Sequence, residues 1–197
     1  LYNTLDAIVW LAEENKSAEV VKMVTSLSDF FRTTLSKGHD YITVKEERTH
    51  IESYLEIQQF RYQDILDYEI RMNEEIYGYI IPKLTLQPLV ENALYHGIKN
   101  KRGKGKILIT GEKQGDKIIF QVVDNGKGMT EEELNNLRKK MAGTDTGNEE
   151  KGFGVSNVNQ RIKYYYGDEY GVFFESKENE GTNATIIIAA KNIQPPS

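Results

Sequence analysis

Several features are missing from this 197-residue sequence, and each absence excludes some kinds of protein or functional site. It contains no cysteine, which excludes disulfides, thiolate metal ligands and a cysteine nucleophile. No apolar run reaches the roughly 18–20 residues that a membrane-spanning helix needs. Positive charge is not in excess, because 25 Lys and Arg stand against 30 Asp and Glu, a net charge of −5. This balance argues against broad, sequence-independent binding to nucleic acid.

The remaining composition, 39% hydrophobic and 28% charged, is that of a globular protein with a core. Its length suits one large or two small domains. The chain opens at Leu1 with neither Met nor a signal peptide. We therefore expect it to belong to a longer protein.

The first third of the chain is predicted to be helical. Two apolar runs at helical spacing, separated by the polar residues Glu14–Ser17, predict an antiparallel helical hairpin over about Asn3–Leu35. Thr43 followed three residues later by Glu46 is a capping-box pattern, and it predicts a third helix to about Tyr62. We expect these three helices to precede any strand.

From Leu66 onward the pattern changes to alternation, which is typical of strands. Helical patterns with N-terminal signals at Pro88 and at Thr130 lie between the strand patterns. Strands are predicted at Leu66–Met72, Lys106–Gly111, Lys117–Val123, Gly171–Ser176 and Asn183–Ala190, and helices from Pro88, over Thr130–Met141 and over Val155–Tyr166.

The hexapeptide Asp124–Met129 follows a predicted strand and precedes a predicted helix. Glycines there let the backbone approach a flat ligand closely, and an Asp at a strand end can accept a hydrogen bond from an exocyclic amine such as that of adenine. The same string is also ordinary turn chemistry, so a turn without a ligand stays an open alternative.

A second glycine pair, in Gly152-Phe153-Gly154, opens the helix that follows the aperiodic stretch Ala142–Lys151. Backbone N–H groups at a helix N-terminus can bind an anion, and a mobile loop of this kind can close over phosphates. Glycine is also the default residue of turns, so the pair alone does not establish a site.

The helix after Pro88 places Glu91 and Asn92 on its polar side, with His96 one turn beyond Asn92. An amide oxygen suits Mg²⁺, and a carboxylate can serve as a general base. A merely solvated helix face is the alternative. We interpret the other two histidines, His39 and His50, as surface residues, because His39 adjoins a predicted helix end and His50 lies among charged residues.

Together these segments resemble, in order and spacing, the four conserved boxes of the gyrase, Hsp90, histidine kinase and MutL ATP-binding superfamily. Two further stretches, Tyr54–Tyr62 and Leu1–Leu5, resemble sensor histidine kinases of the LytS/YesM type, whose phosphoacceptor motif ends as NPHFLYNTL. The resemblance covers nearly the whole chain, and the four boxes correspond to Leu86–Gly97, Asp124–Met129, Gly152–Asn157 and Gly181-Thr182.

The resemblance implies an α+β fold: a two-layer α/β sandwich of the Bergerat type, with helices on one face of a mixed sheet. A helical hairpin, the remnant of a dimerisation region, would precede it. The chain would then divide into a helical region (1–62), an ATP-binding domain (63–193) and a tail (194–197).

The resemblance also implies ATP and Mg²⁺ as cofactors. Asp124 would hold the adenine amino group, Asn92 would coordinate Mg²⁺, and Glu91 would be the general base. The remaining nucleotide-binding positions would be Gly126 and Gly128 at the adenine, Gly152 and Gly154 as lid hinges, His96 and Lys99 near the phosphates, and Met129, Val155, Asn157 and Thr182.

The implied reaction transfers the γ-phosphoryl group of ATP to a histidine and then to an aspartate of a response regulator. That histidine would fall two residues before Leu1, so we expect the chain to bind ATP without its own acceptor. Tyr95 stands where the family commonly has Lys. The expected setting is a cytoplasmic domain of a plasma-membrane sensor that dimerises through its N-terminal helices, with no direct nucleic-acid contact and membrane contact only through upstream segments.

Two other function classes stay open. The chain could be another superfamily enzyme, either an ATPase of the gyrase or Hsp90 kind or a serine kinase of the anti-sigma type, although the stretches at Leu1 and Tyr54 disfavour this. It could also be a non-catalytic module that dimerises or docks a partner. The retention of Glu91, Asn92 and Asp124 counts against such a module.

Overall fold

The structure of the protein is a computed structural model, and it describes residues 2–35, 40–62, 65–101, 103–142 and 153–192. The helices are α1 (Tyr2–Glu13), α2 (Ser17–Thr34), α3 (Val44–Arg61), α4 (Gln87–Asn92), α5 (Glu131–Met141) and α6 (Phe153–Tyr166). The strands are β1 (Tyr41–Thr43), β2 (Leu66–Met72), β3 (Ile80–Pro82), β4 (Gly105–Gln114), β5 (Lys117–Asp124), β6 (Gly171–Lys177) and β7 (Gly181–Ala189).

Helices α1 and α2 form the predicted pair, and the break between them falls within the polar segment Glu14–Ser17. Helix α2 packs along α3, with Met23 fully buried. Much of the apolar pattern of the pair nevertheless faces outward, since Leu5 and Val9 are 43% and 56% exposed. The pair Lys37-Gly38, a sequence that commonly ends a helix, lies outside the described residues.

Helix α3 begins at the predicted capping box. The Thr43 hydroxyl accepts a hydrogen bond from the Glu46 backbone N–H at 3.1 Å, and the Glu46 carboxylate accepts one from the Thr43 N–H at 2.7 Å. The expectation that three helices precede any strand is wrong, however, because β1 lies before α3 and pairs antiparallel with β3. Three-residue strands are too short for alternation to reveal them.

The main sheet has five strands in the order β2-β4-β5-β7-β6. Strand β2 runs parallel to β4, and the other neighbouring pairs are antiparallel. Strands β4 and β5 are longer than predicted, and only Gly115 and Asp116 connect them. Gly115 has φ +62°, a conformation common in tight hairpin turns. The mixed sheet that the motifs predict is confirmed.

One face of the sheet forms the core with the helices. On this face the side chains of Ile107, Phe120 and Ile186 are fully buried, and they pack in one cluster with Leu89 of α4 and Ile162 of α6. Side chains of the opposite face, such as Phe173 at 49% exposure, are more open. Burial of this apolar face stabilises the packing of the helical layer on the sheet. The two layers confirm the predicted sandwich.

Helix α3 is unusual in that it buries polar side chains, including Glu47 and His50. His50 is fully buried, so its interpretation as a surface residue is wrong. The reason is that α2 covers this side of α3: the Phe30 ring stacks on His50 with centroids 4.8 Å apart and an interplanar angle of 15°. Most of its charged neighbours in sequence are not buried, whereas Glu47, one turn before it, is buried with it. His39 is not among the described residues.

Over the described ranges, none of the helices is both long and apolar enough to cross a membrane.

Candidate functional site

A cavity of about 250 Å³ lies between α4, the residues after it, α5 and the ends of β5, β6 and β7. Six of the predicted site residues line it, together with apolar side chains from five elements, Gly97 and the charged residues Lys127 and Glu133. The predicted residues are Asn92, His96, Asp124, Gly128, Met129 and Thr182, and the apolar ones are Leu89, Ala93, Val122, Leu137, Phe174 and Ala184. Apolar walls with a few polar groups are typical of a small-molecule site.

Asp124, the last residue of β5, is the buried acid of this cavity at 5% exposure. Its Oδ1 accepts a hydrogen bond from the Gly126 N–H at 2.8 Å. Burial raises the pKa of Asp124 to about 6, while the N–H groups of Gly126 and Thr182 and the charge of Lys101 act in the opposite direction. The site therefore presents a carboxyl group with little access to water beside an apolar cavity.

Gly97 and Gly126 bring two backbone segments into contact next to this acid. A Cβ atom on Gly97 would lie 2.6 Å from Asp124 Oδ1, and one on Gly126 would overlap the backbone of Gly97. The Lys127 N–H donates to the Gly97 carbonyl at 3.3 Å, which joins the segments. Gly97 was not predicted as a site residue, although the His96-Gly97 pair stood in the motif that pointed here.

The loop after Asp124 is anchored to the β6–β7 hairpin. Gly128 has φ +64°, and a Cβ there would overlap the carbonyl oxygen of Lys177, so no side chain fits. The Met129 N–H donates to the Ser176 hydroxyl at 2.9 Å, which lies 2.9 Å from the Thr182 hydroxyl. Ser176 is a contributor that the sequence did not reveal, because its role depends on the pairing of β6 with β7.

Helix α4 continues into a π-helical turn over Ala93–Gly97, a feature often found at functional sites. The cavity includes Asn92 and His96. Glu91 is not part of the cavity lining, and its Oε1 accepts a hydrogen bond from Gln87 Nε2 at 2.8 Å. The predicted base and the predicted metal ligand are thus neighbours in the chain with different surroundings.

Several predicted residues lie away from the cavity. The Lys99 ammonium lies over the rings of Tyr62 and Tyr95, 5.1 and 4.9 Å from their centroids. On α6, Val155 is buried in the core, whereas Gly154 and Asn157 are exposed. Gly152 and nearly all of the predicted mobile loop (142–151) lie outside the described residues, as does the predicted tail at 194–197.

A larger hollow of about 440 Å³ lies between α5, α6 and β6. Its lining includes Arg138, Lys163 and Glu175 but none of the predicted site residues. The smaller cavity is the better candidate site, because it holds the buried acid and the close backbone approach.

Family models match both parts of the chain. Residues 82–192 match the model described as histidine kinase-, DNA gyrase B-, and HSP90-like ATPase. Residues 1–66 match the model described as histidine kinase.

Similar proteins are sensor kinases. The chain is 34% identical over 192 residues to the sensor histidine kinase YesM of Bacillus subtilis, covering 98% of this chain and 31% of that protein. It is 29% identical to the sensor protein LytS of Staphylococcus saprophyticus, again over 98% of this chain and 31% of the relative. The chain therefore spans about a third of the length of these relatives.

Solved structures share the fold. The catalytic domain of the histidine kinase ThkA matches with a TM-score of 0.58 at 19% identity, over 78% of this chain and 97% of that one. The Acinetobacter baumannii histidine kinase AdeS matches with a TM-score of 0.55 at 16% identity, over 94% and 85%.

These findings agree with the resemblance drawn from the four boxes, and they do not favour the gyrase-like, anti-sigma or non-catalytic alternatives. The chain belongs to the histidine kinase-, DNA gyrase B- and HSP90-like ATPase family, as an ATP-binding catalytic region related to sensor histidine kinases of the LytS/YesM type.

Proposed function

We propose that this chain binds ATP with Mg²⁺ and transfers the γ-phosphoryl group to a histidine in a segment preceding Leu1, from which a response-regulator aspartate receives it. The observation that carries the proposal is the buried Asp124 carboxyl beside an apolar cavity and two closely packed glycines. An adenine ring fits such a place, because its faces are apolar and its amino group donates hydrogen bonds.

In this proposal Asp124 accepts the hydrogen bond of the adenine amino group. Gly126 and Gly128 shape the adenine pocket by letting the loop pack closely against neighbouring backbone. Met129 and Thr182 lie beside the base, and the exposed edge near His96 receives the phosphates. Lys99 stays a candidate contact of the phosphates. Candidate contacts on the lid side of the nucleotide are Gly152, Gly154, Val155 and Asn157.

The chemistry of the side chains suits Mg²⁺. The amide of Asn92 lines the cavity, and over the described part of the chain no three His, Cys, Asp or Glu side chains cluster as a metal site. Mg²⁺ is commonly held by few protein oxygens together with phosphates and water. When bound through Asn92, it would neutralise charge on the phosphates.

For the transfer we propose Glu91 as the general base. An imidazole nitrogen of the acceptor histidine forms a bond to the γ-phosphorus, the bond from that phosphorus to the bridging oxygen breaks, and ADP leaves. The carboxylate of Glu91 takes the imidazole proton. Such transfers depend mainly on positioning and charge neutralisation.

We further propose the division into a helical region (1–62), an ATP-binding domain (63–193) and a tail (194–197), with dimerisation through the helices. The two family-model matches support the division, and the exposed side chains of Trp10 and Val21 support the dimer. The parent would be a plasma-membrane sensor with this region in the cytoplasm, where it meets its response regulator and makes no direct contact with nucleic acid.

Calorimetric titration of the chain with ATP, in the presence and absence of Mg²⁺, tests nucleotide binding. We expect binding that Asp124→Ala weakens at least about tenfold, because a hydrogen bond to a buried carboxylate is lost. Asn92→Ala should chiefly remove the dependence on Mg²⁺. Wild-type protein that binds no ATP would overturn the proposal.

Phosphoryl transfer is tested in the full-length protein, with the segment before Leu1 present. Incubation with γ-labelled ATP should give an acid-labile, base-stable label, as expected for phosphohistidine. A protein that binds ATP but acquires no such label would support a non-catalytic role instead.

A further inference from the structure

We propose that His50 and Gln87 are positioning residues for Glu91, linked by two successive hydrogen bonds that run from α3 to the base on α4. His50 Nε2 lies 2.6 Å from Gln87 Oε1, and Gln87 Nε2 lies 2.8 Å from Glu91 Oε1. The inference rests on the proposed function, because it concerns the role of Glu91 in transfer.

The donors and acceptors along this chain of groups have one consistent arrangement. Glu91, as a carboxylate, only accepts, so the NH₂ group of Gln87 must face it. The Gln87 oxygen therefore faces His50 and can only accept, which places a proton on His50 Nε2. The chain of groups thus fixes both the orientation of the Gln87 amide and the tautomer of the imidazole.

The imidazole itself is held on two sides. Phe30 of α2 stacks on its face, and the ring is fully buried. Burial lowers the pKa of His50 and so favours the neutral ring, whose one proton the hydrogen bond to Gln87 places on Nε2. Over the described residues its second nitrogen, Nδ1, makes no hydrogen bond of normal geometry, although the nearby Phe30 backbone and the charge of Glu91 act to raise the pKa of the ring.

The start of α4 is fixed to α3 at a second point. Glu47, one turn before His50, accepts a hydrogen bond from the Leu86 N–H at 2.7 Å, next to Gln87. Two side chains of α3 therefore hold the start of α4, one by its backbone at Leu86 and one by its side chain at Gln87. The hydrogen bond to Oε1 of Glu91 restricts its carboxylate to one orientation, as partners of an active-site group commonly do.

The test compares Gln87→Met with Gln114→Met in the full-length protein. Both substitutions remove an amide that donates to a nearby carboxylate, but Gln114 donates to Glu112 at the far, exposed end of β4. For Gln87→Met we expect the rate of histidine phosphorylation at saturating ATP to fall about tenfold to a hundredfold, the range found when a hydrogen-bond partner of a metal-binding residue is removed. The KM for ATP should stay within about twofold, and Gln114→Met should change neither value.

Two His50 variants distinguish the hydrogen bond from packing. His50→Phe keeps a ring against Phe30 but has no donor, and we expect the same loss of rate as for Gln87→Met. His50→Gln loses the ring but offers an amide donor at a similar distance, and it should restore much of the rate. The opposite order would show that the ring matters only for packing and would overturn the proposal.

Glu91→Gln separates failure of this inference from failure of the proposed function. If Glu91→Gln removes transfer while Gln87→Met leaves it unchanged, Glu91 is the base but needs no positioning. If Glu91→Gln transfers at the normal rate, its assignment as base fails, and the inference fails with it. A Gln87→Met protein with a raised KM and an unchanged maximal rate would also contradict the inference, because the effect would lie in binding.

Discussion

Two buried carboxyl groups, Asp124 at the cavity and Glu47 between α3 and α4, both have a raised pKa but lie in different surroundings. Burial raises the pKa of both, to about 6 for Asp124 and to about 7 for Glu47. Glu47 is fully buried, and its two oxygens accept the N–H groups of Leu84 and Leu86 at 3.0 and 2.7 Å. Asp124 instead borders a cavity.

The difference shows what distinguishes a candidate binding group from a structural one. Glu47 accepts its hydrogen bonds from a backbone segment in which Leu84 has the unusual φ of +58°. Arg161 holds the same segment by donating to the Leu84 carbonyl at 3.1 Å. Every contact of this carboxylate is internal to the fold. A raised pKa alone would rank Glu47 above Asp124, whereas access to a cavity selects Asp124.

The largest effect is expected from Glu47→Ala. This change leaves two buried N–H groups without an acceptor, and we expect the free energy of unfolding to fall by about 3 kcal/mol. Urea denaturation followed by circular dichroism measures it. Glu52→Ala is the matched control on the same helix, because its pairing with Arg48 is half-exposed and should contribute no more than about 0.5 kcal/mol. Equal losses for the two variants would mean that Glu47 is not a structural anchor.

Asp124→Asn is expected to have a smaller effect, on the free energy of ATP binding rather than on that of unfolding. The amide keeps the size of the side chain and loses the charge, so we expect the Kd for ATP to rise about tenfold, or about 1.4 kcal/mol. Stability should change less than for Glu47→Ala, because the side chain borders a cavity. Isothermal titration measures the affinity. Unchanged affinity in Asp124→Asn would remove the contrast between the two acids.

Local patterns predicted much of this molecule. The capping boxes at Thr43 and Thr130 start α3 and α5 as expected, because each depends on residues three positions apart. The position of Asp124 at the end of a strand was likewise readable from alternation followed by glycines. Such features are fixed by neighbours in sequence, so a single chain suffices to find them.

Local sequence patterns do not reveal long-range contacts. The burial of His50 depends on α2 covering α3, and the apolar cavity walls at Phe174 and Ala184 come from strands distant in sequence. The burial of Glu47 cannot be predicted from sequence either, because nothing near it in the chain shows that the Leu86 backbone N–H donates to it. Tertiary packing decides such positions, whereas periodicity reports only one helix or strand.

The smallest effect is expected in the pH dependence of stability near neutral pH. A carboxyl group whose pKa is higher in the folded than in the unfolded protein binds protons preferentially in the folded state. Stability should therefore fall by about 0.8 kcal/mol as pH rises from 6.5 to 7.5, mostly through the pKa of Glu47 near 7 and less through that of Asp124 near 6. Urea midpoints at several pH values measure this slope. Glu47→Gln should remove most of this slope, and Asp124→Asn should remove less of it; a slope that neither change alters would place the responsible groups elsewhere.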